Sequence, residues 1–383
     1  MAIQDLAVHV LEYRPPKPVM SSVGALTRRI ACLVEVSTSD GIRGWGESWV
    51  NFPAWAAAER RATLLEGVRP LVLGLEESDI DAVHRRVLQS LLPVGRQWGA
   101  PGPIWQALSA VDQALWDIAG QRQGKPVWEL LGGNGGKAPV YASGLGPDLD
   151  PVVVARHLER GIRHFKLKVG RGLEADRAQV AGLRRLVGSD ATIWVDANQA
   201  WATVEEATES ITAFAEYHVA VVEEPLAADD LEGMRQLAAV SPLPLAAGEN
   251  LYGAAGFARW AERGAIRLIQ PDVSKGGGIT EARRICADVT ERYGLPYAPH
   301  FLGGAVGLYA SLHFFNATAG GVAVEFDTNP NPLRDALVNP PPVVRDGCLT
   351  LPDGPGWGIQ IVPEVWARHA VRESVKCKPN PHD

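Results

Sequence analysis

From Val140 onward the chain shows eight short apolar runs, the first seven each followed by a polar or glycine-bearing loop and then a stretch long enough for a helix. The runs are VYASG, HFKLKVG, TIWVDAN, AVVEEP, PLAAGEN, IRLIQPD, PYAPH and VAVEFD. Strands that alternate with helices imply a parallel sheet, since each return to the same end needs a crossover. Eight such runs favour an α/β fold of the closed (β/α)8 type over an open doubly wound sheet. No GxGxxG follows any of them, as a dinucleotide-binding open sheet would require.

Polar residues close these strands in step with the repeat. Asp196, Glu223, Glu249, Asp272, His300 and Glu325 follow one another at separations of 27, 26, 23, 28 and 25 residues. In a parallel barrel such positions converge at the C-terminal mouth, where active sites are built. Three acids from consecutive strands, Asp196, Glu223 and Glu249, repel one another unless something neutralises them. A hard divalent cation does so, and all-oxygen ligation points to Mg²⁺ or Mn²⁺. The alternative gives each acid a separate ion pair or helix cap, which suits one acid better than three in register. Asp272 and His300 come from adjacent strands. A carboxylate bonded to one ring nitrogen would fix the tautomer and free the other as acid or base.

The run FKLKVG (165–170) sets Phe165, Leu167 and Val169 on one face and Lys166 and Lys168 on the other. Alone, it reads most simply as an edge strand with a solvated lysine face. Beside the acids, the lysines instead face the mouth. There, two ammonium groups near a cation are expected to lower each other's pKa toward a range useful for proton transfer.

The first 50 residues or so read as strands, with 30–36, a TSDG turn and 42–48 forming a hairpin. Residues 54–122 read as helices; Ile104, Leu108, Val111, Leu115 and Ile118 recur at helical spacing up to Gly124. VWELLGG behind Pro126 gives a short further helix. GGNGGK (132–137) lacks phosphate-loop spacing and follows a helix, so it reads as a helix stop and linker. The expected division is an N-terminal α+β capping domain (1–133), the barrel (138–350), and a segment (351–383) packing back on the cap. The tail ESVKCKPNPHD is expected to be poorly ordered or laid along another subunit.

Composition narrows the setting. A net charge of −7 leaves no basic footprint for nucleic acid. The four cysteines (Cys32, Cys286, Cys348, Cys377) are scattered without a CxxC pair, which argues against thiolate metal sites and fits a reducing compartment. MAIQDLAVHVLEYRPP has no cationic start followed by an apolar stretch, and no run approaches the ~20 apolar residues that span a bilayer. No membrane association and a cytoplasmic location are therefore expected.

These residues together resemble the enolase superfamily, and within it the mandelate racemase/muconate-lactonising enzyme family, in its mandelate racemase-like subgroup. The resemblance covers nearly the whole chain. It runs through GIRGWGES (41–48), ALSAVDQALWDIAGQRQGKPVWELLGG (107–133), KLK (166–168), VDAN (195–198), VEEP (222–225), GEN (248–250), PDVSKGGGIT (271–280), APH (298–300) and VEFD (324–327). It implies that Asp196, Glu223 and Glu249 bind one Mg²⁺ per subunit, with Mn²⁺ a substitute. It implies that Lys168 is a base on one substrate face, tuned by Lys166, and that His300 with Asp272 acts on the other. Glu325 would hydrogen-bond the substrate carboxylate, with Ser143 and Asn198 lining the pocket. The shared step would be abstraction of a proton alpha to a carboxylate, the superfamily's known pattern of a Lys or His base with Mg²⁺. A homo-oligomer is implied as well.

Two bases permit several outcomes: dehydration of an aldonic or aldaric acid, racemisation or epimerisation of a 2-hydroxy acid or amino-acid derivative, or opening of a sugar lactone by a cycloisomerase. EFDTNPNPLRDAL…LTLPDGPGWGI resembles dehydratases and lactone cycloisomerases more than mandelate racemase itself, and dehydration is favoured. Lys275, three residues after Asp272, is either a second base or a structural ion-pair partner. Lid loops at 15–29 and 48–55 would set specificity. Arg28 and Arg29 suit a second carboxylate or a polyol, whereas Trp49, Phe52 and Trp55 suit a less polar body. Two further readings stay open: a catalytically silent metal- or carboxylate-binding relative, and a phosphate-binding barrel using FLGGAVG (301–307).

Overall fold

The structure is a computed structural model and describes residues 1–21 and 24–371. The N-terminal part is an antiparallel sheet of β1 (Ile3–Tyr13), β4 (Arg29–Thr38) and β5 (Arg43–Ser48), with a small hairpin of β2 (Val19–Ser21) and β3 (Gly24–Leu26) beside it. The expected hairpin is present, with Cys32 opposite Ser48 and Val36 opposite Gly44. The helix Gly102–Gln123 lies directly on β5 and buries Ile104, Leu108, Val111, Leu115 and Ile118, the apolar stripe seen in the sequence. Gly44 and Gly46 permit this approach, because a Cβ at either would collide with the carbonyl oxygens of Ala114 and Ala110. Gly124, at φ 66°, ends that helix.

The barrel follows. Strands β6 (Lys137–Leu145), β7 (His164–Lys168), β8 (Thr192–Asp196), β9 (Val219–Glu223), β10 (Leu245–Ala247) and β11 (Leu268–Ile269) pair in order, all parallel. Parallel bridges from Ile269 to Tyr297 and from Tyr297 to Gly321 carry the sheet onward. β12 (Val324–Asp327) then pairs with β6, Val324 opposite Val140, and closes the ring. All eight apolar runs are its staves. Helices of nine to 15 residues pack outside the first seven, and the eighth leads only to a short turn of helix, Pro332–Asp335. The alternation of FKLKVG holds: Phe165 and Leu167 pack toward the helices, while Lys166 and Lys168 point into the barrel, level with Trp194 and Asp196. β7 is not an edge. It has a neighbour on each side and Lys166 is fully buried, so the solvated-edge reading is corrected.

Three buried acids of the N-terminal part join it to the barrel and to the segment that follows. Glu47 accepts from the backbone N–H of Gly304 (2.5 Å) and Gly307 (2.9 Å). Asp112 accepts from Thr280 N (3.1 Å), and Asp117 from Trp45 N and Trp357 N (2.9 Å each). FLGGAVG therefore already holds a carboxylate from within the chain, which removes it as a phosphate loop. The later segment returns to the first strand. Trp366 packs edge-on to His9 and Trp45, His369 Nδ1 meets Glu12 O at 3.0 Å, and Val371 N donates to Val10 O. Residues 372–383, which include the tail and Cys377, lie outside the described residues. Among the described residues no helix is long and apolar enough to cross a membrane.

Candidate active site

The strand ends meet at the mouth because the register is in step: Lys168 lies opposite Asp196, and Asp196 opposite Glu223. Lys166 donates to both oxygens of Glu223 at 2.9 Å, pairs with Glu325 at 2.9 Å, and lies 3.6 Å from Asp196. Lys168 Nζ donates to Asp196 Oδ2 at 2.5 Å. His300 bridges two acids, with Nδ1 2.7 Å from Asp272 and Nε2 2.5 Å from Glu249. Lys275 donates to Asn250 Oδ1 at 3.0 Å, lies 3.9 Å from Glu249, and stacks its ammonium 4.3 Å over Trp49. Among the ionisable groups named, all but Lys168 and Glu249 have less than a tenth of their side chain exposed.

The electrostatics follow from this crowding. Burial would lower the Lys166 pKa, but Glu223 and Glu325 hold it well above normal. Lys168 also lies above its ordinary value: Asp196 outweighs both burial and the like charge of Lys166. In the protein alone the carboxylates thus outweigh the mutual repulsion of the two lysines; the expected lowering is for lysines beside a cation. Burial opposes the imidazolium of His300, yet Glu249, Glu325 and Asp272 raise it to about 10. Glu249 is held well below the carboxylate range by His300 and Lys275, despite burial. Glu223 moves the other way, pushed up to about 8 by burial and by Asp196. Its neighbour Glu224 is raised by burial and by Glu249. Acids outnumber bases here, six (Asp196, Glu223, Glu224, Glu249, Asp272, Glu325) to four (Lys166, Lys168, Lys275, His300), and the raised Glu223 and Glu224 take up the excess by holding protons. Among the described residues no three acid, histidine or cysteine side chains form a ready-made metal cage. Asp196, Glu223 and Glu249 each face a protein cation instead.

Over the mouth lies a cavity of about 210 Å³. Ser143, Lys168, Asn198, Glu249, Lys275 and His300 line its floor, and Val19, Met20, Leu26, Trp49, Phe52 and Leu302 its lid. Both expected lid loops contribute. Trp55 does not; its side chain stands 69% exposed elsewhere. Arg28, expected in the pocket, is turned away: its guanidinium donates to Glu12 Oε2 (3.1 Å) and Ala54 O (2.6 Å) on another face of the cap. Arg29 is buried against Asp327 at 2.7 Å. Neither arginine lines the cavity.

Several site residues escaped sequence reasoning. Tyr141 donates to Glu325 at 3.0 Å and carries Lys166 over its ring. Its signal was strand alternation with Ser143. Gln270 donates to Glu223 at 2.5 Å and was visible as a polar residue inside IRLIQPD. Asn198, Gln199 and Glu224 hold positive φ (44°, 65° and 43°) just past the strand ends, backbone strain of the kind found at functional sites.

Comparison with known proteins gives the family and agrees with the fold. Residues 152–365 match the model described as enolase C-terminal domain-like, and residues 5–132 match the mandelate racemase/muconate lactonizing enzyme N-terminal domain. D-galactarolactone cycloisomerase of Agrobacterium fabrum is 31% identical, covering 94% of this chain and 97% of that protein. Arabinonate dehydratase of Saccharolobus solfataricus is 31% identical over 90% of each chain. The crystal structure of a racemase from Streptomyces coelicolor A3(2) with bound magnesium superposes with a TM-score of 0.87 at 29% identity, over 96% of this chain and 100% of that one.

Proposed function

The chain belongs to the mandelate racemase/muconate lactonizing enzyme family of the enolase superfamily, and from that premise we propose that it removes the proton alpha to the carboxylate of a small sugar acid and then expels the β-oxygen. Dehydration is the leading outcome, as in the arabinonate dehydratase relative. The observation that carries the reading is the mouth itself, where Lys168 and His300, the latter held by Asp272, line one cavity over a cluster in which acids outnumber bases.

That excess of acids, two of them held toward the protonated form, fits a divalent cation that would displace those protons, and the all-oxygen donor set suits Mg²⁺, with Mn²⁺ a substitute. Asp196, Glu223 and Glu249 would hold one ion per subunit. When bound, it would take up the carboxylate charge that now keeps the proton on Lys168 and supply positive charge to the substrate carboxylate. The chain's own residues do the rest. Lys168, as the free amine, takes the α-proton into Nζ. Lys166, held by Glu325 at 2.9 Å, receives a carboxylate oxygen as negative charge grows on it, and Glu325 would donate to the other oxygen in its protonated form. Asp272 holds the His300 ring through Nδ1, so Nε2 presents its proton to the departing β-oxygen. The α C–H and β C–O bonds break, water leaves, and the enol becomes a 2-keto acid. Ser143 and Asn198 would orient the substrate, and Lys275 would meet its distal end. A reducing cytoplasm belongs to the same reading, supported by the free thiols of Cys32, Cys286 and Cys348.

A second outcome is favoured by the lid. Its apolar wall, with no arginine at the cavity among the described residues, suits a compact ring acid better than an open polyol diacid, because each buried hydroxyl left without a partner costs about 1–3 kcal/mol. A departing ring oxygen would make the reaction a cycloisomerisation, as in the galactarolactone relative.

Proton NMR in D₂O with Mg²⁺, against sugar acids, 2-hydroxy acids, small lactones and amino-acid derivatives, tests the proposal. Washout of the α-proton with a keto product and release of water means dehydration, and a keto isomer of a ring substrate means cycloisomerisation. Exchange without a new product means racemisation or epimerisation. Mg²⁺ binding without exchange on any member would overturn the catalytic reading. Full exchange by Lys168→Ala would remove Lys168 as the base.

A further inference from the structure

Away from the mouth, the helix Pro151–Glu159 and the segment after β12 enclose a second cavity of about 350 Å³. It shares only Asp327 with the first. Three guanidiniums line it: Arg156 and Arg160, four residues apart, and Arg334. Arg334 is committed within the fold. Its Nε donates to Asp335 (2.7 Å), Nη1 to Asp327 O (2.6 Å) and Nη2 to Asn329 O (3.3 Å). Asp327, in turn, pairs with Arg29. The side chains of Arg156 and Arg160 have no hydrogen bond or ion pair among the described residues. Both acids of the cavity wall are thus matched within the fold, and two positive charges remain over.

A second observation is independent of those arginines' exposure. His157, between them on the helix, is only 3% exposed, and its Nδ1 is buried with no hydrogen-bond partner. Burial and the charges of Arg160, Arg156 and Arg334 push its pKa down to about 4, so at neutral pH the ring is uncharged and keeps one N–H to donate. An orphaned buried polar atom beside uncompensated charge asks for a ligand. The rest of the wall is largely apolar, with Phe326, Pro330, Pro342, Val343 and Val344. Two guanidiniums match a dianionic head geometrically and in charge, and the apolar wall suits a compact body beyond it. The volume exceeds what inorganic phosphate alone would fill.

We propose that this cleft binds a small phosphate monoester, its phosphate held by Arg156 and Arg160 beside His157 and its body against Phe326 and Val344. Calorimetric titration of the full chain with glycerol 3-phosphate, and separately with inorganic phosphate, tests this. Saturable binding of glycerol 3-phosphate is expected, tighter than that of phosphate and retained in Lys168→Ala. Arg156→Gln/Arg160→Gln should weaken it by about tenfold or more, since each lost contact is charge-assisted. Arg156→Lys/Arg160→Lys should fall between the two. Both arginines are exposed, so these variants should melt with the parent. The site is overturned if glycerol 3-phosphate does not bind, or if the double glutamine variant binds it as the parent does. The ester reading is overturned if inorganic phosphate binds equally well.

Discussion

Replacing Lys166 by methionine removes one positive charge from the centre of the acidic cluster while keeping much of the side chain's bulk. Lys166 is fully buried and touches Glu223 and Glu325 at 2.9 Å, with Asp196 at 3.6 Å. Without it, these acids stay buried with less compensation. Removing one partner of a buried ion pair costs about 3–5 kcal/mol. Unfolding entropy of roughly 2.1 cal/mol/K per residue gives roughly 0.8 kcal/mol per degree for 383 residues, so Tm should fall by about 4–6 °C. The assay is thermal unfolding in a chelator, of the parent, Lys166→Met, Glu223→Gln and the double variant. Glu223→Gln should recover about half the loss in the Lys166→Met background, because Glu325 still lacks its ammonium. The reasoning fails if Lys166→Met melts within a degree of the parent, or if the two substitutions add as independent losses.

Other outcomes follow from particular contacts. Glu47 is buried with its pKa raised to about 7, so its folded form keeps a proton that the unfolded chain releases near 4.5. Its contribution to stability is therefore lost as pH rises between those values, by roughly 3 kcal/mol. Glu47→Gln should gain on the parent over that range in paired urea titrations, and a constant gap would count against the assignment. Asp272→Asn should slow proton exchange through His300 by about 10²-fold or more while sparing exchange through Lys168, read as loss of deuterium incorporation on one substrate face only. Arg28→Ala should leave kcat/KM within about twofold, because its guanidinium is bound to Glu12 and Ala54 outside the cavity; a larger drop would mean that it reaches the substrate.

The barrel was legible because its signal is long-range and redundant. Eight runs had to share one spacing, and acids such as Asp196 and Glu223 had to keep step with it. The inward face of FKLKVG was equally readable once the acids were set beside it, though the strand alone suggested a solvated edge. What escaped were directions and balances. Arg28 lies in a lid loop as expected, but Glu12, 16 residues earlier on β1, decides where its guanidinium goes. The lysine pKa values depend on how many acids surround each ammonium, and Glu224 enters that count only because it is buried beside Asn250. FLGGAVG looked like an anion loop for a sound reason. Its amides do hold a carboxylate, but one carried by Glu47, more than 250 residues earlier.

The return of the segment around Trp357 and Trp366 to β1 and β5 has a consequence for the order of synthesis. Trp45 O accepts the indole proton of Trp357, and its ring is covered by Trp366. Both partners leave the ribosome only after every stave of the barrel. A nascent chain thus carries its first sheet with one face unfinished for most of translation, exposing His9 and Trp45 to chaperones or to other chains. Chains stopped short of residue 357 should aggregate even with the barrel complete.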